Sequence, residues 1–363
     1  MSPLIIVPRP VLTANCNPLF VIGNGFDIHH GVKSSYRDFA EYLKWHNGRG
    51  VRSALRHFLD TDDLWGDFEA SLARLNREVL IESVGTMLDV IPDTLDEDDD
   101  DFSYADYYAS IDMACEPIDK IEFELPRVFK EWVRSLKANT GKSDFIGDLF
   151  SENGRYLNFN YTDFLETLYA VPEEDIMYIH GCRKQKDCEL IFGHGENPDE
   201  NFDAWHEKNR HRFTVHEHRF ATRRKRNGRT VRFRRPESLT ELAYFDPEPD
   251  KGNYRSALHY YAIETATERI ESYFENTRKK SAEIIEANSG YFESLHNITD
   301  VVTLGHSLSP VDYPYFRRIA AENDDFDRLS WHFSFHSDAD VHRIGAFVSA
   351  MGISMNKASC FKL

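Results

Sequence analysis

Three groups of residues have the types and spacing to do chemistry. The first is Gly23-Asn24-Gly25-Phe26-Asp27, continuing to Gly31-Val-Lys-Ser-Ser35. Glycines directly after a strand let backbone amides approach a phosphate, and a following helix adds the positive end of its dipole. No third glycine completes the GxGxxG dinucleotide fingerprint, so the run reads either as a phosphate-binding turn or as a simple strand terminator. The second group is Asn158-Phe-Asn160-Tyr-Thr-Asp163. A period of two puts Asn158 and Asn160 on one face of a strand, with Asn160 at its carboxyl edge, and Thr162 or Asp163 is placed to cap the next helix. The third comprises three histidines beside glycine: His180-Gly181, Gly193-His194-Gly195 and Gly305-His306-Ser307. Of these, a neutral His180 near its reference pKa of about 6.5 suits general-base chemistry at cellular pH. Their positions at apparent strand ends point to a shared cleft, whereas zinc-ligand spacings are absent and no metal is expected. Ser309 stands where a GxSxG elbow needs glycine, and no GxxxxGK[ST] run exists, so neither a serine-hydrolase elbow nor P-loop hydrolysis is indicated.

These groups need a scaffold that brings distant strand ends together. Leu19-Phe-Val-Ile-Gly23 predicts a buried strand, followed by a helix near Tyr36–Leu43. Arg155–Asn160, Ile176–His180, Glu189–Gly193, Asp300–Leu304 and Leu329–Phe335 predict further strands, with helices over Asp163–Tyr169, from Tyr313 and over Asp338–Met351. Short apolar strands alternating with helices predict an α/β, Rossmann-like parallel sheet with helices on both faces and ligands at the carboxyl ends of its strands. Apolar stripes such as Phe68, Leu72 and Leu75 mark residues 45–150 as a helical insertion. Residues 196–296 read as a second insertion into the same single domain, carrying a basic hairpin around Arg226-Asn-Gly-Arg229 and a long helix over Arg255–Asn288.

The composition bounds the partners. The 363 residues carry 43 Lys plus Arg against 61 Asp plus Glu, a net charge of −18, which argues against a general nucleic-acid binder. The charge is unevenly spread: Lys208–Arg235 alone carries +11 and the remainder −29. That segment, residues 208–235, is the expected contact surface for nucleic acid or a protein partner, while Asp96–Asp101, six acids in a row, reads as a solvated loop or a docking strip. Five scattered cysteines without a CxxC pair fit a reducing cytoplasm. No apolar run approaches the roughly 20 residues of a membrane span. No membrane partner is expected, homo-oligomerisation is left open, and the order of residues 1–18 is undecided.

Taken together, Gly23-Asn-Gly-Phe-Asp27, His30-Gly31, Trp65-x-x-Phe-Glu69, Asn158-Phe-Asn-Tyr-Thr162, Ile179-His-Gly181, Leu190-Ile-Phe-Gly-His-Gly195 and Leu304-Gly-His-Ser-Leu308 resemble the AbiH family of phage abortive-infection proteins. The resemblance implies an anti-phage role. A more distant similarity is to sirtuins, which bind NAD through a glycine-rich turn, an Asn-x-x-Asp segment, a His-Gly pair and a later Gly-[ST]-Ser strand end. By that similarity Asn160 and His180 are the catalytic pair and Asp163 a pocket organiser. Gly23, Asn24, Gly25, Asp27, Asn158, His194, Gly305, His306 and Ser307 then surround the dinucleotide. The four-cysteine zinc module of sirtuin deacetylases is missing, and Phe26-Asp27 replaces a small residue and serine. NAD hydrolysis is therefore implied in preference to deacetylation. The alternatives are a nuclease-like effector acting through the basic hairpin and a nucleotide sensor without turnover.

Overall fold

The computed structural model describes residues 4–13, 17–59, 61, 63–76, 103–150, 154–185, 189–195, 220–224, 230–234, 264–265, 268–269, 271–324 and 326–363. The chain divides into two compact units. One comprises Met1–Tyr42, Arg127–Gly195 and Lys279–Leu363, and the other Leu43–Pro126 and Glu196–Arg278.

The first unit is built on a seven-stranded sheet in which every pairing is parallel. Its strands are β1 (Ile5–Val7), β2 (Pro18–Ile22), β3 (Arg155–Asn158), β4 (Ile176–Tyr178), β7 (Asp300–Leu304), β8 (Ser330–Phe335) and β9 (Ala358–Lys362), in the order β1-β9-β8-β7-β2-β3-β4. A parallel sheet is covered on both faces, so its central strands are buried along their length. All five residues of β2 and all five of β7 are buried. Alternate residues Leu19, Val21, Val301, Trp331 and Phe333 enter a core with Phe316 and Phe347 of the helices Tyr313–Ala321 and Asp338–Met351. Phe20 faces the other way, with its ring 5.0 Å from Phe150, and Phe361 packs near Phe145 of the short helix Asp144–Gly147. This is the expected α/β, Rossmann-like fold with helices on both faces.

The strand order reverses between β2 and β7. From β2 the chain steps to β3 and β4, and from β7 it steps the opposite way to β8 and β9. Ligand crevices in open α/β sheets lie outside the carboxyl ends of strands at such a reversal.

The second unit contains the helices Arg49–Phe58, Phe68–Leu72 and Tyr104–Asp119. Tyr273 lies in its core, its hydroxyl donating to the Leu72 carbonyl. Arg269 pairs with Asp112 and Asp119. The expected basic hairpin forms as β5 (Phe220–Arg224) antiparallel to β6 (Thr230–Arg234), with Arg224 opposite Thr230. Residues 208–219 and 225–229, and the acidic run Asp96–Asp101, lie outside the described residues.

The structure corrects the element reading in three places. Glu189–Gly193 forms no strand; its polar backbone is bound locally, with the Ile191 amide donating to the His180 carbonyl and the Ile191 carbonyl accepting from the Tyr161 hydroxyl. The long helix over Arg255–Asn288 is interrupted around Arg278–Lys280, where the Lys279 amide bonds the His194 carbonyl instead of a helical partner. Finally, Ile5–Val7 in the leader is an edge strand paired with β9, itself an unanticipated strand. Among the described residues no helix is long and apolar enough to cross a membrane.

Candidate functional site

The reversal between β2 and β7 is closed by glycine. After β2, Gly23 precedes the short helix Asn24–His29, and after β7 the chain turns at Gly305 with φ at +67°. The two turns touch backbone to backbone. The Gly23 amide donates to the Leu304 carbonyl at 3.0 Å, and the Gly25 amide to the Gly305 carbonyl at 2.8 Å. A β-carbon on Gly25 would stand 2.7 Å from the Gly305 Cα, and one on Gly305 would stand 2.2 Å from the Phe26 nitrogen. The glycines are thus required for the seam itself, and both amides are already bonded within it. Any phosphate contact at this turn would therefore fall to the exposed Asn24, whose amide donates to the Ser34 carbonyl, and to the exposed Ser307.

Beneath the seam sits Asp27, only 2 % exposed. Its carboxylate accepts from Asn160 Nδ2 at 2.9 Å and from Thr162 Oγ1 at 2.6 Å. Burial pushes its pKa up to about 7, against the opposing pull of those two hydrogen bonds and of the Arg183 charge. The same Asn160 amide donates to the Gly23 carbonyl at 3.1 Å, so one side chain ties the end of β3 to both the glycine turn and its acid. Asn158, the last residue of β3, accepts from the Asn160 backbone N–H through Oδ1 at 3.0 Å, and its Nδ2 faces the Thr162 carbonyl. The two asparagines therefore divide the work: Asn158 shapes the loop and Asn160 grips Asp27. Asp163 turns away from this network. It precedes the helix Phe164–Tyr169 and pairs with Arg183 at 2.6 Å, and Arg183 in turn donates to the Leu136 carbonyl.

His180 and His306 flank one ring. Phe159 lies 5.2 Å from the His180 ring and 4.4 Å from that of His306, edge-on to both. His180 Nε2 stands 3.3 Å from the Tyr315 hydroxyl. Burial, and then the nearby Lys279 charge, hold its pKa well below the ordinary value. The same two causes bring His306 down to about 3. Both rings are neutral at cellular pH. His306 Nδ1 accepts the Leu308 amide proton at 2.9 Å, which leaves its proton on Nε2, 3.6 Å from Asp312. Lys279 pairs with that same Asp312 at 3.2 Å, both side chains being buried. His194, fully buried, joins the group through its carbonyl, which accepts the Lys279 amide.

The predicted residues thus sort into two connected sets. Asp27 and Asn158 meet through Asn160, and His180 and His306 flank Phe159 near Lys279, whose amide bonds the His194 carbonyl. Sequence reasoning misses Lys279, Asp312 and Tyr315. Lys279 sits in Arg278-Lys-Lys280, indistinguishable from a solvated basic run, and Tyr315 and Asp312 flank a proline-rich helix start without chemical signature. Thr162 is visible in the sequence, but only as a helix cap. Among the described residues no group of three or more His, Cys, Asp or Glu side chains is arranged to hold a metal.

Comparison with curated proteins and with solved structures returns no match. The sequence profile described as "Bacteriophage abortive infection AbiH" matches residues 19–335, a span that runs from β2 through β8 and contains every residue of both sets. The seam, the asparagine pair and the histidine cluster are therefore features of a chain that belongs to the AbiH family, with a function in bacteriophage abortive infection.

Proposed function

We propose that this chain is an abortive-infection effector that binds NAD at the carboxyl ends of β2, β3 and β7 and cleaves its nicotinamide–ribose bond. The observation that carries the reading is the gathering of Asp27, Asn158, Asn160, His180 and His306, from four strand ends, at the point where strand order reverses. Breaking the glycosidic bond develops an oxocarbenium-like ribose and releases a neutral base, so the protein's work is to hold the dinucleotide, shield the ribose and manage one proton. Asn160 positions, because its amide already fixes Gly23 and Asp27. Asp27, with proton affinity raised to about 7, is matched to take a proton from a ribose hydroxyl or an attacking water near neutral pH. His180, neutral and buried, accepts a hydrogen bond without adding charge. Asp163 organises the pocket through Arg183 rather than touching substrate.

The test is nicotinamide release from NAD by the purified protein, joined to cellular NAD measured after induced expression with and without phage. His180→Ala is expected to abolish NAD loss in protein whose far-UV spectrum shows that it still folds, although truncating this buried ring lowers its melting temperature. Growth arrest with stable NAD would overturn the reading.

A second reading is favoured by the hairpin β5–β6, which forms from a segment carrying +11 and lies in the second unit. Such a strip would bind nucleic acid with steep salt dependence. Cleavage of tRNA or single-stranded DNA, in place of nicotinamide release, would select it.

A further inference from the structure

On the opposite, amino-terminal end of the sheet, three side chains from three adjacent strands form a second chemical group. His332 of β8 and Ser359 of β9 are register partners, so both point to the same face, and Asp300 opens β7 two residues before the partner of His332. His332 Nε2 stands 3.1 Å from Asp300 Oδ1, and His332 Nδ1 stands 2.8 Å from Ser359 Oγ. Asp300 is fully buried and also accepts from Thr299 Oγ1 at 2.7 Å and the Thr13 amide at 3.4 Å.

A carboxylate can only accept, so in the neutral form of the ring the proton lies on Nε2 and Nδ1 is an acceptor facing the Ser359 hydroxyl. The serine proton therefore points into the lone pair of a base that an ionised carboxylate orients. Those are the roles that define an activated serine whatever the fold or chain order. Ser359 is half-buried, and its register partner on β1 is Ile5, 54 % exposed and on the same face of the sheet. One apolar side chain thus stands beside the hydroxyl.

We propose that Asp300, His332 and Ser359 form a serine-nucleophile site for esters of apolar acyl groups, separate from the switch-point site. In the reaction, Ser359 Oγ bonds to the acyl carbon as the ester C–O bond breaks. The hydroxyl proton passes to His332 Nδ1 and on to the departing alkoxide. Water then attacks the acyl-serine, His332 takes and returns its proton, and the acid leaves with Ser359 restored. No oxidant or metal is needed.

The experiment treats the full chain with a fluorophosphonate, which forms an Oγ–P bond and expels fluoride, and locates the adduct by peptide mass spectrometry. Hydrolysis of p-nitrophenyl butyrate is followed in parallel. The expected result is one adduct on Ser359 in the parent and none in Ser359→Ala. In His332→Gln, which retains hydrogen bonding, and in Asp300→Asn, labelling should be slower by on the order of 10²-fold or more. Melting curves show which variants are folded. A folded parent left unlabelled at Ser359, or labelling as fast in folded His332→Gln as in the parent, would overturn the proposal. The switch-point variant His180→Ala should label like the parent, so the outcome is independent of whether NAD is the ligand.

Discussion

Replacing Asp27 with asparagine should stabilise the protein above neutral pH and leave it unchanged in acid. A carboxyl that is raised in the folded state binds its proton more tightly there than in the unfolded chain. Its contribution to stability is therefore fully present below the unfolded pKa and is lost as pH rises through the folded one. For Asp27 the window runs from the ordinary carboxylate value of 3.8 to about 7. Each tenfold difference in proton affinity is worth about 1.4 kcal/mol, so ionising the buried group costs on the order of 4 kcal/mol by pH 8. The Asp27→Asn side chain keeps the geometry: its Oδ1 accepts from Asn160 Nδ2, and Thr162 Oγ1 rotates to accept from the new amide. Urea unfolding of parent and Asp27→Asn, compared at matched pH from acid to mildly alkaline buffer, isolates this contribution, since every other group titrates in both. The difference between them should grow by about 1.4 kcal/mol per pH unit up to about pH 7 and flatten above roughly pH 8. The same substitution should abolish the proposed NAD cleavage. A stability difference independent of pH would refute the burial argument, and a stable, fully active variant would remove Asp27 from proton transfer.

Gly305→Ala should destabilise by about 2–5 kcal/mol, combining a left-handed residue with a β-carbon inside van der Waals contact of Phe26, and thermal melting reads it directly. His306, held at about 3, gives the opposite pH signature to Asp27. The unfolded chain binds more protons between about 3 and 6.5, so stability falls as pH drops through that window, and His306→Gln should blunt the acid lability seen in urea titrations. Lys279→Met leaves the Asp312 carboxylate buried without its ammonium partner and should cost about 3–5 kcal/mol, much of which the double variant with Asp312→Asn should restore.

The sheet is legible in the sequence wherever a largely apolar run ends in glycine or an amide, as at Leu19–Gly23 and Asp300–Gly305, because burial on both faces favours apolar residues at successive positions. It is illegible at β1 and β9. Ile5 and Ile6 are edge residues left largely exposed, and Ala358–Lys362 mixes serine and lysine into a strand that lies one place from that edge. The helix over Arg255–Asn288 is over-read because its interruption is imposed from outside by the His194 carbonyl, a long-range contact without local signal. At the site, Gly23, Asn160 and His180 can be found because glycine and amide side chains at strand ends are rare enough to notice. Their actual division of labour cannot. Only the fold reveals that Asn160 binds Asp27 and that a lysine from an ordinary basic run charges the histidine pocket.

The seam between Gly25 and Gly305 joins residues roughly 280 positions apart, and translation at about 5–20 residues per second separates their synthesis by roughly 15–60 s. Throughout that interval β2 has no β7 beside it and Asp27 lacks the roof that buries it. A cell making this protein consequently carries nascent chains that are unable to assemble the crevice, and the site matures only as the C-terminal strands of the polypeptide emerge. Fold topology itself thus sets a delay between the start of synthesis and the completion of the crevice.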